Sequence, residues 1–379
     1  MLLSELARPT EHTLIGTDPQ VGALCYNSRK VRPGDVFCCV VGTFADGHAF
    51  AKQAIDAGAA ALVVEHRLPF DIPQLLVPNT RIAMAEMAAA RCGYPANAMC
   101  MVGVTGTNGK TSVTYMLKAI FERMGKKVGL IGTIRNMIGQ RNIDTERTTP
   151  ESVDLQEILA MMRDDGVDVV VMEVSSHSLD QHRVYGITFD VGIYTNLTQD
   201  HLDYHKTFDN YLAAKRILFQ NSKQAVINAD DSYAARLLEG LDVPRTSYGV
   251  REKADVYASD IDITTRGVQF TMHAADGEKP VYVPIPGLFS VFNALAAATA
   301  AMYLGSTMEN VIDALSHMVS VSGRLEPLPT GDKGFSVLLD YAHTPDALEN
   351  VLKTVRGFCH GRLIALFGCG GDRDHAKRP

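Results

Sequence analysis

The sequence lacks the cysteine spacing of a disulfide-rich or zinc-binding protein. Its seven cysteines are odd in number, and no two of them form a Cys-x-x-Cys pair. Neither a disulfide framework nor a zinc ribbon is therefore indicated. Reduced thiols in the core of a cytosolic protein are the simplest interpretation.

Long apolar stretches are also missing. No run approaches the roughly 20 apolar residues that a membrane-spanning helix needs. The N-terminal stretch MLLSELARPTEH contains neither the apolar core nor the cleavage site of a signal peptide. We therefore expect a cytoplasmic protein that does not insert into membranes.

Clusters of basic residues are absent as well, which argues against nucleic acid as a partner. The 36 Lys and Arg residues are outnumbered by 43 Asp and Glu residues, and the formal net charge is −7. An anionic substrate must then be held by local groups. The length of 379 residues allows two or three domains, each with its own core.

Predicted strands and helices alternate along the chain, which indicates an α/β protein with a mostly parallel sheet. We expect a small α/β domain at 1–96, a larger domain at 97–328 and a third segment at 329–379. The predicted strands of the first two segments are 35–41, 60–65, 127–132, 167–172, 191–195 and 225–228, and the predicted helices are 48–57, 79–92, 153–165 and 293–304. Residues 255–276 alternate more strictly, which favours antiparallel strands.

The third segment, 329–379, resembles the opening of a domain. It predicts a strand at 335–340, a helix at 346–357 and a second strand at 363–367. A β-α-β piece of this size is too small to bury a good core.

A glycine-rich loop at 103–111 is the strongest functional pattern. It lies between an apolar run and a helix-like run, which is the context that a phosphate-binding loop requires. Successive backbone N–H groups of such a loop point at phosphate oxygens, and the helix N-terminus favours negative charge. Val104 replaces the first glycine of the usual frame, so an ordinary glycine turn is the alternative. The residues expected at the nucleotide are Gly106, Thr107, Asn108, Gly109, Lys110, Thr111 and Ser112. Lys110 would reach the terminal phosphates, and the Thr111 hydroxyl would bind Mg²⁺.

Polar residues follow two of the predicted strands. Glu173 comes directly after strand 167–172, at the carboxyl end where open α/β folds bind ligands and where P-loop enzymes hold Mg²⁺. A solvated glutamate at a strand end is the alternative. A second cluster, 196–205, follows strand 191–195 and includes His201. Its spacing does not match a zinc site, and a capped helix start is an alternative for its polar residues.

Local sequence patterns alone indicate no functional role for three further residues. Lys215 lies in an apolar helical run, where a lysine ordinarily extends its ammonium to solvent. Arg324 and Asp340 lie in segments that ordinary loops and turns would explain equally well.

Taken together and in order, these pieces resemble the Mur ligases, most closely the type that adds the third residue of the peptidoglycan stem peptide. The matching phrases extend from near the N-terminus to the last residue. They are YNSRKVRPGDVF (26–37), GVTGTNGKTS (103–112), TTPES (148–152), MEVSSHSLDQHRV (172–184), NLTQDHLDYH (196–205), YLAAKRILF (211–219), SGRLEP (322–327), DYAHTPDALENVL (340–352) and FGCGGDRDHAKRP (367–379).

The resemblance implies a UDP-binding domain, an ATPase domain and a C-terminal domain that brings the amino acid. The residues implied to bind a UDP-N-acetylmuramoyl dipeptide are Ser28, Arg29, Thr148, Thr149, Ser176 and Arg183. Those implied to contact ATP, in addition to the loop, are Asn293, Arg324 and Asp340. The implied ligands of two Mg²⁺ ions are Thr111, Glu173, His201 and Lys215, the last as a carbamate formed with CO₂. The implied catalytic residues are Lys110, Glu173, His201 and Lys215.

The implied reaction joins an amino acid to the dipeptide and consumes ATP. Because a carboxylate is a poor electrophile, transfer of the γ-phosphoryl group would first make an acyl phosphate. Lys110, backbone N–H groups and two Mg²⁺ would offset the developing charge. The amine of the amino acid would then attack and release phosphate. The resemblance favours meso-diaminopimelate over L-lysine as the amino acid, and a monomeric enzyme.

The sequence departs from the family pattern at Asn27, Ser290 and Ser322. The family pattern also continues beyond Pro379, and the motif that selects the amino acid lies in that continuation. We therefore expect residues 1–379 to bind the UDP-dipeptide without completing ligation.

Other functions stay open at this point. A sister ligase such as folylpolyglutamate synthase would use the same chemistry on another substrate, although 26–37 would then have no purpose. A truncated or degenerate homologue would bind the UDP substrate without catalysis. A P-loop kinase or motor protein is the least favoured interpretation.

Overall fold

The structure is a computed structural model that describes residues 1–368 except 44, 145, 146, 252, 265, 319–322, 332 and 344. Ser322 and the part of the phrase 367–379 from residue 369 onward therefore lie outside the described residues. The chain divides into two compact units. The first comprises Met1–Met99, Pro150–Asp165 and His177–Ile187, and the second comprises Cys100–Thr149, Gly166–Ser176 and Thr188–Pro379.

The helices and strands follow one another in α/β order. The helices are α1 (Leu3–Ala7), α2 (Ala51–Asp56), α3 (Thr80–Arg91), α4 (Lys110–Arg123), α5 (Ser152–Asp164), α6 (Ser176–Asp180), α7 (Leu202–His205), α8 (Phe208–Gln220), α9 (Ala234–Leu238), α10 (Leu288–Tyr303), α11 (Met308–Ser316) and α12 (Pro345–Phe358). The strands are β1 (Thr13–Ile15), β2 (Leu24–Cys25), β3 (Val36–Cys38), β4 (Ala61–Val64), β5 (Gln74–Leu76), β6 (Cys100–Thr105), β7 (Val128–Ile131), β8 (Asn136–Ile138), β9 (Arg141–Ile143), β10 (Val169–Glu173), β11 (Val191–Tyr194), β12 (Ala225–Asn228), β13 (Arg245–Gly249), β14 (Val256–Thr264), β15 (Gly267–Ala274), β16 (Gly277–Val283), β17 (Glu326–Leu328) and β18 (Val337–Leu339).

The first unit is built on a five-stranded sheet in the order β1-β5-β4-β3-β2. β1 pairs antiparallel with β5, and the other neighbours pair in parallel. Alternate side chains of β3 and β4 enter two different cores, as the period of two in a strand requires. One core contains apolar residues of α1 and α3, and the other contains those of α2. The strands predicted at 35–41 and 60–65 are confirmed as the shorter β3 and β4.

The second unit contains an eleven-stranded sheet in the order β16-β15-β14-β13-β12-β11-β6-β10-β7-β8-β9. The neighbours from β14 to β7 pair in parallel. β15 and β16 extend one edge antiparallel, and β8 and β9 extend the other. Apolar side chains of α4, α10 and α11 form one core with the sheet. The predicted α/β class and mostly parallel sheet are confirmed, as are the antiparallel strands expected at 255–276.

The prediction of a strand at 363–367 is wrong. Residues 361–368 form no strand, and Ile364, Leu366 and Phe367 are exposed. A strand requires a neighbour for its backbone N–H and C=O groups, and no described residue provides one here. The preceding strand, β18, pairs antiparallel with β17, and α12 confirms the helix predicted at 346–357.

The three-domain division at 97 and 329 stays a prediction. The observed first unit also takes in 150–165 and 177–187, two stretches that a division by sequence order assigns to the second. Among the helices of the described residues, none has both the length and the apolar character needed to cross a membrane.

The centre of the larger sheet brings three strand ends together. β6 lies between β10 and β11, with Glu173 paired to Val104 and Tyr194 paired to Thr105. Because these strands are parallel, their carboxyl ends meet at one edge, where α/β proteins bind ligands.

Candidate active site

The loop after β6 has the expected strand–loop–helix form. β6 ends at Thr105, and α4 begins at Lys110 after Gly109, whose φ is +89°. The Lys110 ammonium donates hydrogen bonds of 2.9 Å to the carbonyl oxygens of Gly106 and Thr107. The lysine therefore folds back over its own loop, at the place where phosphate oxygens bind in P-loop proteins.

Two glycines of this loop are required by close contacts. Gly106 has φ +150°, and a Cβ atom there would lie 1.8 Å from Thr195 Oγ1. A Cβ atom on Gly109 would lie 2.5 Å from Asn293 Oδ1. Asn293, the residue of α10 that is predicted to contact ATP, therefore lies against the loop. Packing within the protein thus requires both glycines.

The segment after β11 holds the loop from the other side. The Asn108 N–H donates to Asn196 Oδ1 at 2.9 Å, and Thr195 Oγ1 donates to the Asn108 carbonyl oxygen at 2.6 Å. The Thr198 N–H donates to Thr107 Oγ1 at 3.0 Å. Part of the polar cluster 196–205 therefore positions the glycine-rich loop at 103–111, which we call the phosphate loop.

Glu173 lies at the centre of the polar network. Its side chain is buried, with the residue 1% exposed, and Oε1 accepts hydrogen bonds from Thr111 Oγ1 at 3.0 Å and from the Thr133 N–H at 2.8 Å. Oε2 accepts from Thr133 Oγ1 at 3.0 Å. Gly132 leaves room for this carboxylate, because a Cβ atom there would lie 2.5 Å from Oε1. This burial rules out the solvated glutamate considered above.

Arg324 reaches the same network, whereas Asp340 supports it from a distance. Arg324 Nη2 donates to Thr111 Oγ1 at 3.2 Å, and its guanidinium lies 5.5 Å from the ring centroid of Tyr341. Asp340 Oδ2 accepts from the Leu325 N–H at 2.8 Å, so this carboxylate fixes the turn that carries Arg324.

Lys215 is buried in α8, with 1% of the residue exposed, and does not extend to solvent. Its Nζ atom lies 4.4 Å from the centroid of the Tyr211 ring. Among the residues that the structure describes, no hydrogen bond or ion pair engages this ammonium. Burial lowers the pKa of Lys215 well below its usual value, and the charge of Lys110 lowers it further. Burial also lowers the pKa of Lys110, against the attraction of Glu173.

His201 has the left-handed backbone conformation, with φ +55°, just before α7. Its Nε2 atom lies 3.3 Å from Oδ2 of the buried Asp200. His205 is stacked on Tyr211, and its Nε2 atom lies 2.9 Å from Ser176 Oγ. In the described part of the chain, no three His, Cys, Asp or Glu side chains form a group that would hold a metal by themselves. A metal at this edge would need hydroxyl, phosphate or carbamate oxygens as well.

The predicted substrate residues of the second unit adjoin this network. Thr149 Oγ1 donates to the Glu173 carbonyl oxygen at 2.8 Å, and the hydroxyls of Thr148 and Thr133 lie 3.0 Å apart. Ser176 contacts His205, as described above. The structure thus brings 148–149 to Glu173 and Thr133, and it joins Ser176 to the cluster 196–205 through His205.

The remaining substrate residues belong to the first unit. Ser28 Oγ donates to Gln53 Oε1 at 2.9 Å, and the N–H of the exposed Arg29 donates to Asn27 Oδ1 at 3.0 Å. Arg183 is buried, and its Nη2 atom donates to Gln181 Oε1 at 2.6 Å.

Three family descriptions match consecutive parts of this chain. "Mur ligase family, catalytic domain" matches 20–91, "Mur ligase middle domain" matches 104–301, and "Mur ligase, glutamate ligase domain" matches 323–379. The UDP-N-acetylmuramoyl-L-alanyl-D-glutamate–2,6-diaminopimelate ligase 1 of Clostridium acetobutylicum is 46% identical over 100% of this chain and 80% of its own length. The chain belongs to the Mur ligase family.

Solved structures of Mur ligases share the fold. A UDP-N-acetylmuramoyl-L-alanyl-D-glutamate–2,6-diaminopimelate ligase is 31% identical with a TM-score of 0.80, covering 100% of this chain and 78% of that one. The MurF ligase of Thermotoga maritima in complex with ADP is 22% identical with a TM-score of 0.63, covering 88% of this chain and 74% of that one. The second likeness supports the fold alone.

Several residues of this Mur ligase site carry no signal in the sequence. Thr133 and Thr195 bind Glu173 and the loop, but they lie in no motif of chemistry-bearing residues. Gly132, the last residue of the strand predicted at 127–132, is the available signal, because a glycine within a strand indicates a close approach by another group. His205 belongs to the cluster 196–205, whereas its contact with Ser176 can be read only from the fold.

We expect Gly106→Ala to weaken ADP binding at least about tenfold, or roughly 1.4 kcal/mol, because the new Cβ atom would displace Thr195 and the loop. Gly125→Ala is the matched control, since Gly125 also has positive φ but has no atom near its Cβ position. Calorimetric titration with ADP measures both variants. Equal ADP affinity in Gly106→Ala and the wild type would contradict the described loop packing.

Proposed function

We propose that this Mur ligase joins 2,6-diaminopimelate to UDP-N-acetylmuramoyl-L-alanyl-D-glutamate, with ATP as the energy source. The names of its similar relatives support the substrates. The observation that carries the proposal is the contact between the phosphate loop and Glu173, through the Thr111 hydroxyl at 3.0 Å. This contact supports the proposal because it joins groups that phosphoryl transfer needs at the carboxyl ends of β6 and β10.

The phosphate loop would bind ATP. Lys110 now donates to two loop carbonyl oxygens, and phosphate oxygens would offer this cation stronger, charged acceptors. Arg324, which already donates to Thr111, would add a second cation beside the phosphates. Asn293 and the residues 106–109 and 112 complete the proposed nucleotide site, and Asp340 would act by holding the turn of Arg324.

The oxygen atoms around Thr111 fit Mg²⁺. The Thr111 hydroxyl and the Glu173 carboxylate are 3.0 Å apart, and both are hard oxygen donors of the kind that Mg²⁺ prefers. Bound there with phosphate oxygens, Mg²⁺ would offset the negative charge that repels an incoming carboxylate. His201 and a carbamate on Lys215 would hold a second ion.

Lys215 is suited to carbamylation because its buried amine favours the neutral form. Only a neutral amine can bond to CO₂: its lone pair attacks the carbon atom, and one N–H proton leaves. The product is an anion, and the positive charge of the nearby Lys110 would attract it. A carbamate oxygen is also an acceptable Mg²⁺ ligand, whereas an ammonium repels the ion.

The chain's own residues would then serve two steps. In the first, a substrate carboxylate oxygen bonds to the γ-phosphorus and ADP leaves, with Lys110 and the loop N–H groups stabilising the charge. In the second, the amine of diaminopimelate attacks the carbonyl carbon, loses a proton and expels phosphate. Thr148, Thr149, Ser176 and Arg183 would orient the dipeptide, and Ser28 and Arg29 would bind the nucleotide sugar. A monomeric state and a cytoplasmic location belong to the same proposal.

The direct test of the function is phosphate release by the full-length protein with ATP and UDP-N-acetylmuramoyl-L-alanyl-D-glutamate. We expect release to require diaminopimelate and to be much weaker with L-lysine. Lys110→Ala should lower the rate by roughly 10³-fold or more, because one charged stabiliser of the transferring phosphoryl group is lost. Turnover with a folate and glutamate, but not with the UDP-dipeptide, would overturn the proposal.

We expect Lys215→Ala to lower kcat by about 100-fold or more, because the carbamate ligand is lost. Acetate should restore part of this activity by supplying a carboxylate in the vacated space. Lys223→Ala is the control, since Lys223 is an exposed lysine that pairs with Asp190. Full activity of Lys215→Ala without added carboxylate would show that the carbamate is not needed.

A further inference from the structure

Glu151 occupies an unusual position for its residue type. It is the N-cap residue of α5, where Ser, Thr, Asp or Asn would ordinarily cap the first backbone N–H groups. Its carboxylate makes no cap hydrogen bond. The helix therefore forgoes its usual cap, and the side chain is used elsewhere.

The carboxylate of Glu151 lies between two guanidinium groups. Oε1 is 3.1 Å from Arg183 Nε, and Oε2 is 3.4 Å from Arg81 Nη1. The side chains are 7% exposed for Glu151, 9% for Arg183 and 15% for Arg81. All three belong to the first unit. A single buried carboxylate thus bridges the buried Arg183 and the partly buried Arg81.

The two arginines are further tied to the backbone and side chain around them. Arg81 Nε donates to the Val41 carbonyl oxygen at 3.1 Å, and Arg183 Nη2 donates to Gln181 Oε1 at 2.6 Å. Fixed guanidinium groups bind planar anions better than free ones, because less side-chain entropy is lost on binding. The charges of Glu151, Arg81 and Arg183 sum to +1, so this group would still attract an anion.

We propose that Glu151 is a positioning residue that holds Arg183, with Arg81 beside it, in the orientation that binds the carboxylate-bearing dipeptide of the substrate. The inference rests on the proposed function, in which Arg183 contacts that dipeptide. Glu151 itself would not touch the substrate. Its loss would leave the two arginines without their shared partner, and their mutual repulsion would turn Arg183 away.

The test is calorimetric titration of the protein with UDP-N-acetylmuramoyl-L-alanyl-D-glutamate, with UDP alone and with ADP. We expect Glu151→Gln to raise the dissociation constant for the UDP-dipeptide at least about tenfold, as for loss of a charged orienting group. The values for UDP and ADP should stay unchanged. Glu157→Gln, the same substitution at an exposed position of α5, is the matched control.

A merely structural role would give a different result. Reversible partial unfolding would raise the dissociation constants for the UDP-dipeptide and for UDP by the same factor, and irreversible unfolding would lower the number of binding sites. Wild-type affinity of Glu151→Gln for the UDP-dipeptide, or equal weakening of UDP binding, would overturn the positioning role. Glu151→Asp, which keeps the charge and shortens the reach, serves in the same way if Glu151→Gln fails to fold.

A double-mutant cycle tests whether Glu151 acts through Arg183. We expect Glu151→Gln to add little to the loss of affinity already caused by Arg183→Ala, because the positioned group is then absent. If the two substitutions instead raise the dissociation constant by independent factors that multiply in the double variant, the inference is overturned. If the wild type binds the UDP-dipeptide but the variants give any of the contradicting results above, only the positioning role fails. If the wild type itself does not bind, the proposed function fails as well.

Discussion

The buried carboxylate of Glu173 is the interaction on which the rest of the site depends. A carboxylate away from water must be compensated by hydrogen bonds or by cations, because its desolvation is costly. Here Thr111 and Thr133 supply three hydrogen bonds. These bonds join the start of α4 and the segment after β7 to the end of β10. The phosphate loop, which leads directly into α4, is therefore held in place relative to the strand ends.

Positive charge is the second feature that organises the site. Lys110 bonds to the carbonyls of its own loop, and Lys215 is buried against an aromatic ring. Burial opposes the charged form of both lysines, and each has a lowered pKa. An anion beside Lys110 would relieve this cost, and so would conversion of Lys215 into an anion. The proposed nucleotide and the proposed carbamate would thus both lower the free-energy cost of burying two positive charges.

Local patterns in the sequence predicted the elements that are fixed by short-range chemistry. The strand at 225–228 is β12, and the strand–loop–helix at 103–111 follows from its glycines and flanking apolar runs. Glu173 was placed correctly at a strand end because parallel strands share one ligand-binding edge. Its burial was not predictable, since Thr133 reaches it only through the pairing of β7 with β10.

Other features depend on contacts that no local pattern encodes. The strand expected at 363–367 has suitable residues but no pairing partner among the described ones. A division by sequence order assigns 150–165 to the second domain, yet α5 packs with α3 in the first unit. The bridge from Glu151 to Arg183 connects residues far apart in sequence. Such pairs become visible only once the chain is folded.

The central claim is that Glu173 links the phosphate loop to a Mg²⁺ site. The most direct test is the affinity of Glu173→Gln for ADP with and without Mg²⁺, measured by calorimetric titration beside the wild type. The amide keeps the size and some of the hydrogen bonds of the carboxylate but removes its charge. The account predicts that Mg²⁺ strengthens ADP binding to the wild type and has about tenfold less effect on the variant, as expected when a charged oxygen ligand is lost. An equal effect of Mg²⁺ on both proteins would contradict it.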